Sequence, residues 1–228
     1  MMLNSEEQKR AAAIHAVAEA ANGMVLGLGS GTTMTFAMTA LGARIAEGLR
    51  IVGIPTSEKT AALARQYSIP LTNFDAHRRI DLTIDGADEV DPRSLNLIKG
   101  LGGALLHEKI VAKASERMIV IVDESKIVSS LGMRTPLPIE IVPFGWQATC
   151  ERLQDMGYRP QLRRSSEAPF VTENGNYIVD CAMGRTADPA AIEIQLAGIT
   201  GVVESGLFIG LASTIIIGRQ NSVEVIQK

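Results

Sequence analysis

Cysteine is scarce in this chain. Cys150 and Cys181 are the only two in 228 residues, too few for a disulfide framework or a four-ligand zinc site, and they read as small buried core residues. Histidine is nearly as rare, with His15, His77 and His107 alone. Charge of one sign is also lacking. A formal net charge of −3 and the absence of like-charge runs offer nothing to a nucleic-acid backbone, so no nucleic-acid partner is expected. No apolar run approaches the roughly 18 to 20 residues that span a bilayer. The alanine-rich start, "NSEEQKRAAAIHAVAEAANG", is charged, places Ser5 and Gln8 at capping-box spacing and stops at Asn22-Gly23, so it reads as an amphipathic helix and not a signal peptide. A soluble, cytoplasmic protein without a membrane partner is expected. Internal repeats, low-complexity segments and long linkers are missing too.

What is present is a rhythm. Between Met24 and Lys126 short apolar runs ("MVLGLG", "LRIVGI", "DLTID", "LNLIKG", "RMIVIVD") alternate with polar or glycine-rich turns and helical stretches. Continuous apolar strands separated by helices predict an α/β fold with a Rossmann-like, mostly parallel sheet, whose ligands sit beyond the strands' carboxyl ends. After Leu131 the order changes. "LPIEIV", "GWQATCERLQDMG", "RPQLRR", a hairpin in "PFVTENGNYIVDCAM" turning at Asn174-Gly175, a helix opened by Asp188-Pro189, and "GVVESGLF" approximate β-α-β-β-α-β, the ferredoxin-like arrangement. "STIIIG" and "SVEVIQK" return to the first sheet. The expected division is a Rossmann-like catalytic domain at 1–131 plus 207–228 and a smaller ferredoxin-like α+β domain at 132–206.

Several turns between these elements carry chemistry. "GLGSGTT", Gly27 to Thr33, links a strand to a helix start, where amides and hydroxyls form a natural seat for phosphate. It lacks the Gly-Lys-Ser/Thr of a P-loop and the third glycine of a dinucleotide fingerprint, and the alternative is a tight turn that binds nothing. In "IPTSEKT", Thr56 and Ser57 are candidate helix caps. "LTIDGADEVD" ends a strand in four carboxylates without calcium-loop spacing, while the small Gly86-Ala87 between Asp85 and Asp88 permits close approach of a ligand. In "KGLGGALLHEKIVAKASER", helical spacing sets Glu108 among Ala104, Leu105, Val111 and Ala112, with Lys109, Lys113 and Glu116 on another arc. Apolar neighbours disfavour the charged form of a carboxylate, which suits it to act as a general base near neutral pH; pairing with Lys99 or Lys109 is the alternative. His107 points elsewhere and reads as structural or surface. Lys126 in "VDESK" could reach a phosphate or could be solvated. Together these groups suit a small phosphorylated substrate that loses and regains a proton at carbon.

In this order, "GLGSGTT", "IPTSEKT", "TIDGADEVD", "LIKGLGGALLHEKI", "VDESK" and "PLPIEIVPF" closely resemble the signature segments of the ribose-5-phosphate isomerase A family, and the likeness extends to "VTENGNYIVDC" and "GVVESGLF". The resemblance implies reversible isomerisation of ribose 5-phosphate and ribulose 5-phosphate through an enediolate, in the non-oxidative pentose phosphate pathway. It implies Glu108 as the base between C1 and C2, Asp85 assisting ring opening and hydroxyl proton traffic, Asp88 holding the sugar and Lys99 stabilising the enediolate. It further implies substrate contacts from Ser30, Gly31, Thr32, Thr33, Gly86, Ala87, Gly100, Leu101, Gly102 and Lys126. Glu89 and Asp91 are expected to be solvated. No metal or organic cofactor is implied, and a homo-oligomer, dimer or tetramer, is. Ser30 replaces an expected threonine, and Leu101 stands where some members have glycine. The broad fold also resembles glucosamine-6-phosphate deaminases and CoA transferases, though no catalytic histidine is evident and Glu108 is read as helical. A non-catalytic sugar-phosphate sensor is the remaining alternative.

Overall fold

The computed structural model describes residues 4–184 and 188–228. In chain order the elements are α1 (Ser5–Val17), β1 (Val25–Leu28), α2 (Thr32–Ala46), β2 (Val52–Pro55), α3 (Glu58–Gln66), β3 (Ile80–Asp85), β4 (Glu89–Asp91), β5 (Asn96–Ile98), α4 (Leu105–Lys113), β6 (Ser115–Asp123), a 3-10 turn (Glu124–Lys126), β7 (Leu137–Ile141), α5 (Trp146–Asp155), β8 (Arg159–Leu162), β9 (Arg164–Ser165), β10 (Ala168–Pro169), β11 (Tyr177–Ala182), α6 (Pro189–Ala197), β12 (Val202–Ser205), β13 (Leu207–Phe208), β14 (Thr214–Gly218) and β15 (Val223–Gln227). Two compact units emerge. One holds the residues up to Ala87 with His107–Ile127 and Gly210–Lys228; the other holds Asp88–Leu106 and Val128–Ile209.

In the first unit six strands lie in the order β15-β14-β6-β3-β1-β2, parallel except for β15 at one edge. Strands buried on both faces favour β-branched and aliphatic residues throughout, which is why "VLGL" and "TIIIG" read as unbroken apolar runs. Leu26, Leu28, Leu82 and Ile84 pack beneath α1 and α2 with Ala12, Ala16, Met34 and Met38. Val25, Ile54 and Ile80 instead meet Val111 of α4. The sheet is therefore covered on both sides, as the alternation of Val25 and Leu26 requires. From β1 the chain crosses to β2 on one side and then to β3 on the other, so the topological switch point falls between β1 and β3.

The capping box of α1 lies one residue earlier than expected. The Asn4 side chain accepts from the amides of Glu6 and Glu7, and the Asn4 backbone amide donates to the Glu7 carboxylate at 2.8 Å. Ser5 and Gln8 are engaged elsewhere: the Ser5 hydroxyl donates to Asp123 at 3.2 Å and the Gln8 amide to Glu124 at 3.0 Å. The helix also ends at Val17, short of Asn22-Gly23.

The second unit contains a four-stranded antiparallel sheet, β12-β7-β11-β8, carrying α5 and α6 in the order β-α-β-β-α-β. Asp188 caps α6 by accepting from the Ala191 amide at 3.0 Å, with Pro189 at the first turn as its spacing predicts. The turn at Asn174-Gly175 forms, but the arm before it is reduced to one bridge at Val171, and β11 pairs with β7 and β8 instead. "LNLIKG" departs further from expectation. Its strand, β5, does not join the parallel sheet; it pairs antiparallel with β4 and with β13 in a small three-stranded sheet. Gly206 lies between β12 and β13, where a Cβ would overlap the Lys99 carbonyl. These pairings keep residues 88–106 in the second unit, whereas the sequence boundary assigns them to the first.

Cys150 and Cys181 are free and buried in the second unit's core with Leu153, Val179 and Leu196. Burial pushes both thiols up, Cys181 to about 12, with the Cys150 thiol and Asp180 adding to the effect there. A raised acid holds its proton longer folded than unfolded. Its stabilising contribution is complete below the ordinary thiol value of 9.0 and is lost as pH rises towards about 12. Alkylation at pH 8 is expected to be slow in the native protein and complete only after denaturation; rapid native labelling would contradict this burial.

Candidate active site

The first group of candidate residues sits at the switch point, where β1 and β3 end side by side and open-sheet ligands bind. Gly29 continues the ladder by donating to the Ile84 carbonyl at 3.0 Å. A side chain at Gly29 would overlap the Asp85 carboxyl, so the approach of these strand ends depends on that glycine. Asp85 is fully buried, and its Oδ1 accepts from the amides of Ser30 at 3.1 Å and Gly86 at 2.7 Å. The Ser30 hydroxyl donates in turn to Oε1 of Glu108. One residue thus joins the two buried carboxylates, Asp85 through its amide and Glu108 through its hydroxyl.

Gly31 follows with φ +92 as the N-cap of α2, and no side chain caps the helix. The first amides of the helix, at Thr32 and Thr33, therefore lack a side-chain cap and lie at its positive dipole end. At the end of β2 the hydroxyl-bearing residues have local roles: Ser57 caps α3, and the buried Thr56 bonds the Leu28 carbonyl at 3.1 Å.

Glu108 lies in α4 at 4% exposure beside the buried Leu105, Val111 and Ala112, as helical spacing predicts. Lys109 overturns the rest of that reading. It is buried at 1% exposure, while Ile110 is 47% exposed, so Lys109 does not share the outer face with Lys113. His107 lines a cavity of about 370 Å³ with Ile54, Phe74 and Ile110. A larger groove of about 720 Å³ beside α1 and α2 contains no carboxylate among its lining residues.

After β6, Asp123 caps the turn that carries Lys126 by accepting from the Ser125 amide at 2.9 Å. Burial pushes this carboxyl up, but bonds from Ser125, the Lys9 charge at 3.6 Å and the Ser5 hydroxyl together leave it below the usual carboxylate value. Lys9 was visible in the sequence only as one charge among several on α1; its contact with Asp123 is tertiary.

The second group lies in the other unit. The Asp88 amide donates to Ile98 at 2.8 Å, and its Oδ2 accepts from the Leu101 amide at 2.9 Å. Lys99 is 3% exposed, its amide bonded to Gly206 at 2.9 Å and its ammonium 5.5 Å from the Phe208 ring centroid. Gly100 and Gly103 adopt φ +107 and +85, which admit few residues but glycine, and the Leu101 side chain is 41% exposed. Glu89 corrects the expectation of a solvated acid. It is fully buried and accepts from the amides of Gly132 and Arg134 at 2.7 Å and Thr135 at 2.6 Å, organising the loop before β7. Among the described residues, no group of three His, Cys, Asp or Glu side chains could hold a metal ion, and no helix is long and apolar enough to cross a membrane.

The family model for ribose 5-phosphate isomerase A (phosphoriboisomerase A) matches residues 52–222. The chain belongs to the ribose 5-phosphate isomerase A family. A member from Gloeobacter violaceus is 52% identical over 218 residues, covering 96% of this chain and 95% of its own. A member from Thermomicrobium roseum is 46% identical, covering 99% and 96%. Among solved structures, a D-ribose-5-phosphate isomerase in complex with phospho-erythronic acid superposes with a TM-score of 0.96 at 40% identity, covering 99% of this chain and all of that one. The Methanocaldococcus jannaschii ribose 5-phosphate isomerase A gives 0.94 at 38% identity, covering 98% and 99%. The parallel sheet with a smaller antiparallel one is thus the fold of this isomerase family.

Proposed function

We propose that this protein interconverts ribose 5-phosphate and ribulose 5-phosphate, with Glu108 as the base that carries a proton between C2 and C1. The observation that carries the reading is the Asp85–Ser30–Glu108 arrangement at the switch point of a chain belonging to this family. A base must be held still and largely out of water, and burial together with the Ser30 hydroxyl does both for Glu108. Removing the proton beside the carbonyl leaves oxyanion charge, which Lys99 stabilises as it develops. Asp85 handles protons on the sugar hydroxyls and Asp88 holds the sugar. The substrate phosphate is received by Ser30, Gly31, Thr32 and Thr33 at the α2 N-terminus, with Lys126 as its cation. Gly86, Ala87, Gly100, Leu101 and Gly102 supply backbone close to the substrate. The phospho-erythronic acid complex of a relative supports a small phosphorylated ligand. A cytoplasmic homo-oligomer belongs to the same reading.

The test is interconversion of the two pentose phosphates by metal-stripped protein in deuterated water, followed by NMR. Turnover with exchange at the transferred carbon is the expected result. Saturable binding without turnover would replace the isomerase with a sugar-phosphate sensor.

A further inference from the structure

We propose that Arg163 is the positioning residue of the lysine loop, fixing the backbone that follows Lys99 and, through it, the orientation of Asp88. The inference rests on the isomerase reading, in which Lys99 and Asp88 serve the substrate. Arg163 follows β8, and its guanidinium is engaged at three nitrogens. Nε donates to Oδ2 of Asp180 at 2.9 Å and Nη2 to Oδ1 at 2.5 Å, a bidentate pair. Nη1 donates to two successive carbonyls of the lysine loop, Gly100 at 2.9 Å and Leu101 at 3.1 Å.

Two neighbouring carbonyls converge on one nitrogen, which an extended chain does not allow because its carbonyls alternate in direction. Here the chain turns at Leu101 and Gly102, the turn being closed by the Gly103 amide, which donates to the Gly100 carbonyl at 3.0 Å. Between those carbonyls the Leu101 amide points to Oδ2 of Asp88. The Gly100–Leu101 peptide is consequently held from both sides, its oxygen by Arg163 and its N–H by Asp88, and Arg163 holds the next oxygen as well. Phe170 completes the clasp: its ring centre is 5.8 Å from the guanidinium, and the ring occupies the space that a side chain at Gly103 would need. With its charge matched by Asp180 and its donors turned to the loop, Arg163 acts through Leu101 and Asp88 and not on the substrate. A loop with glycines at 100, 102 and 103 has much backbone freedom to lose, so an external tether matters more here than in an ordinary turn. Lysine could not replace it, because an ammonium cannot span a carboxylate and two carbonyls in one plane.

The test combines kinetics with hydrogen exchange on the intact chain. Arg163→Ala and Arg163→Lys are each expected to lower kcat/KM by about 30-fold, with KM raised because Asp88 holds the sugar, as a displacement near 1 Å would. In an Asp88→Ala background the same changes are expected to cost less than about threefold, because the route through Asp88 is already gone. Amide exchange across residues 100–103 should rise at least about tenfold in both variants while the core of β7 and β11 stays protected. If Arg163→Ala does not fold, Arg163→Lys carries both measurements. Wild-type kcat/KM in Arg163→Lys, an equal loss with and without Asp88, or unchanged exchange at 100–103 would each overturn the proposal. An inactive wild type would sink the isomerase reading, and the exchange result would then decide the role of Arg163 alone.

Discussion

Glu108→Gln is expected to lower kcat for the interconversion of ribose 5-phosphate and ribulose 5-phosphate by about 10³-fold, the middle of the range that a positioned general base contributes. The amide matches the carboxylate in size and keeps an oxygen to accept from the Ser30 hydroxyl, so the link from Ser30 to Asp85 survives. What it loses is the ability to take a proton from carbon. Because the change replaces one buried polar group with another among Leu105, Val111 and Ala112, thermal unfolding should move little. KM should stay within a few-fold if the base acts only in the transition state. Steady-state kinetics with a coupled assay and a melting curve together decide the matter. A stable variant retaining more than a tenth of wild-type kcat would remove Glu108 from its role without touching the family assignment.

The second large effect is on stability. Glu89 is fully buried and gathers three backbone amides, Oε1 from Arg134 and Thr135 and Oε2 from Gly132. In Glu89→Gln one of those oxygens becomes an NH2 group. Whichever way the amide turns, at least one N–H of the loop then faces a donor, and a buried donor left without its acceptor costs about 1–3 kcal/mol. Loss of a charge-assisted acceptor adds to this, so a total near 3 kcal/mol and a fall in Tm of about 5–10 °C are expected. Glu89→Ala should cost more, since it strips all three amides at once. Differential scanning calorimetry checks the order wild type, Gln, Ala; a glutamine variant as stable as wild type would show that the loop finds other acceptors.

Much of the fold is legible locally. The unbroken apolar runs of β1, of β14 and of residues 118–122 in β6 announce strands buried on both faces, and Asp188-Pro189 announces the start of α6. Where two local solutions are equally good, the sequence does not choose. Asn4 with Glu7 and Ser5 with Gln8 both have capping-box spacing; the first pair caps α1 because the second is drawn to Asp123 and Glu124. Likewise β5 is as apolar as a parallel strand, and only the availability of β4 and β13 assigns it to another sheet.

The candidate site divides along the same line. Residue types and spacing by themselves determined the glycine turn, the aspartates at and after the end of β3 and the buried face of Glu108, while the likeness of whole segments pointed to the family. The turn and the face of Glu108 depend on local composition and helical periodicity, which a short window of sequence contains. Tertiary structure alone decided that Ser30 joins Asp85 and Glu108 across separations of 55 and 78 residues. It alone decided that Glu89 is enclosed and not solvated, that Lys109 turns inward, and that Arg163 reaches back 63 residues to the lysine loop. Each outcome depends on which buried polar group meets which partner. Burial makes that pairing obligatory, and chain separation hides it from any local pattern.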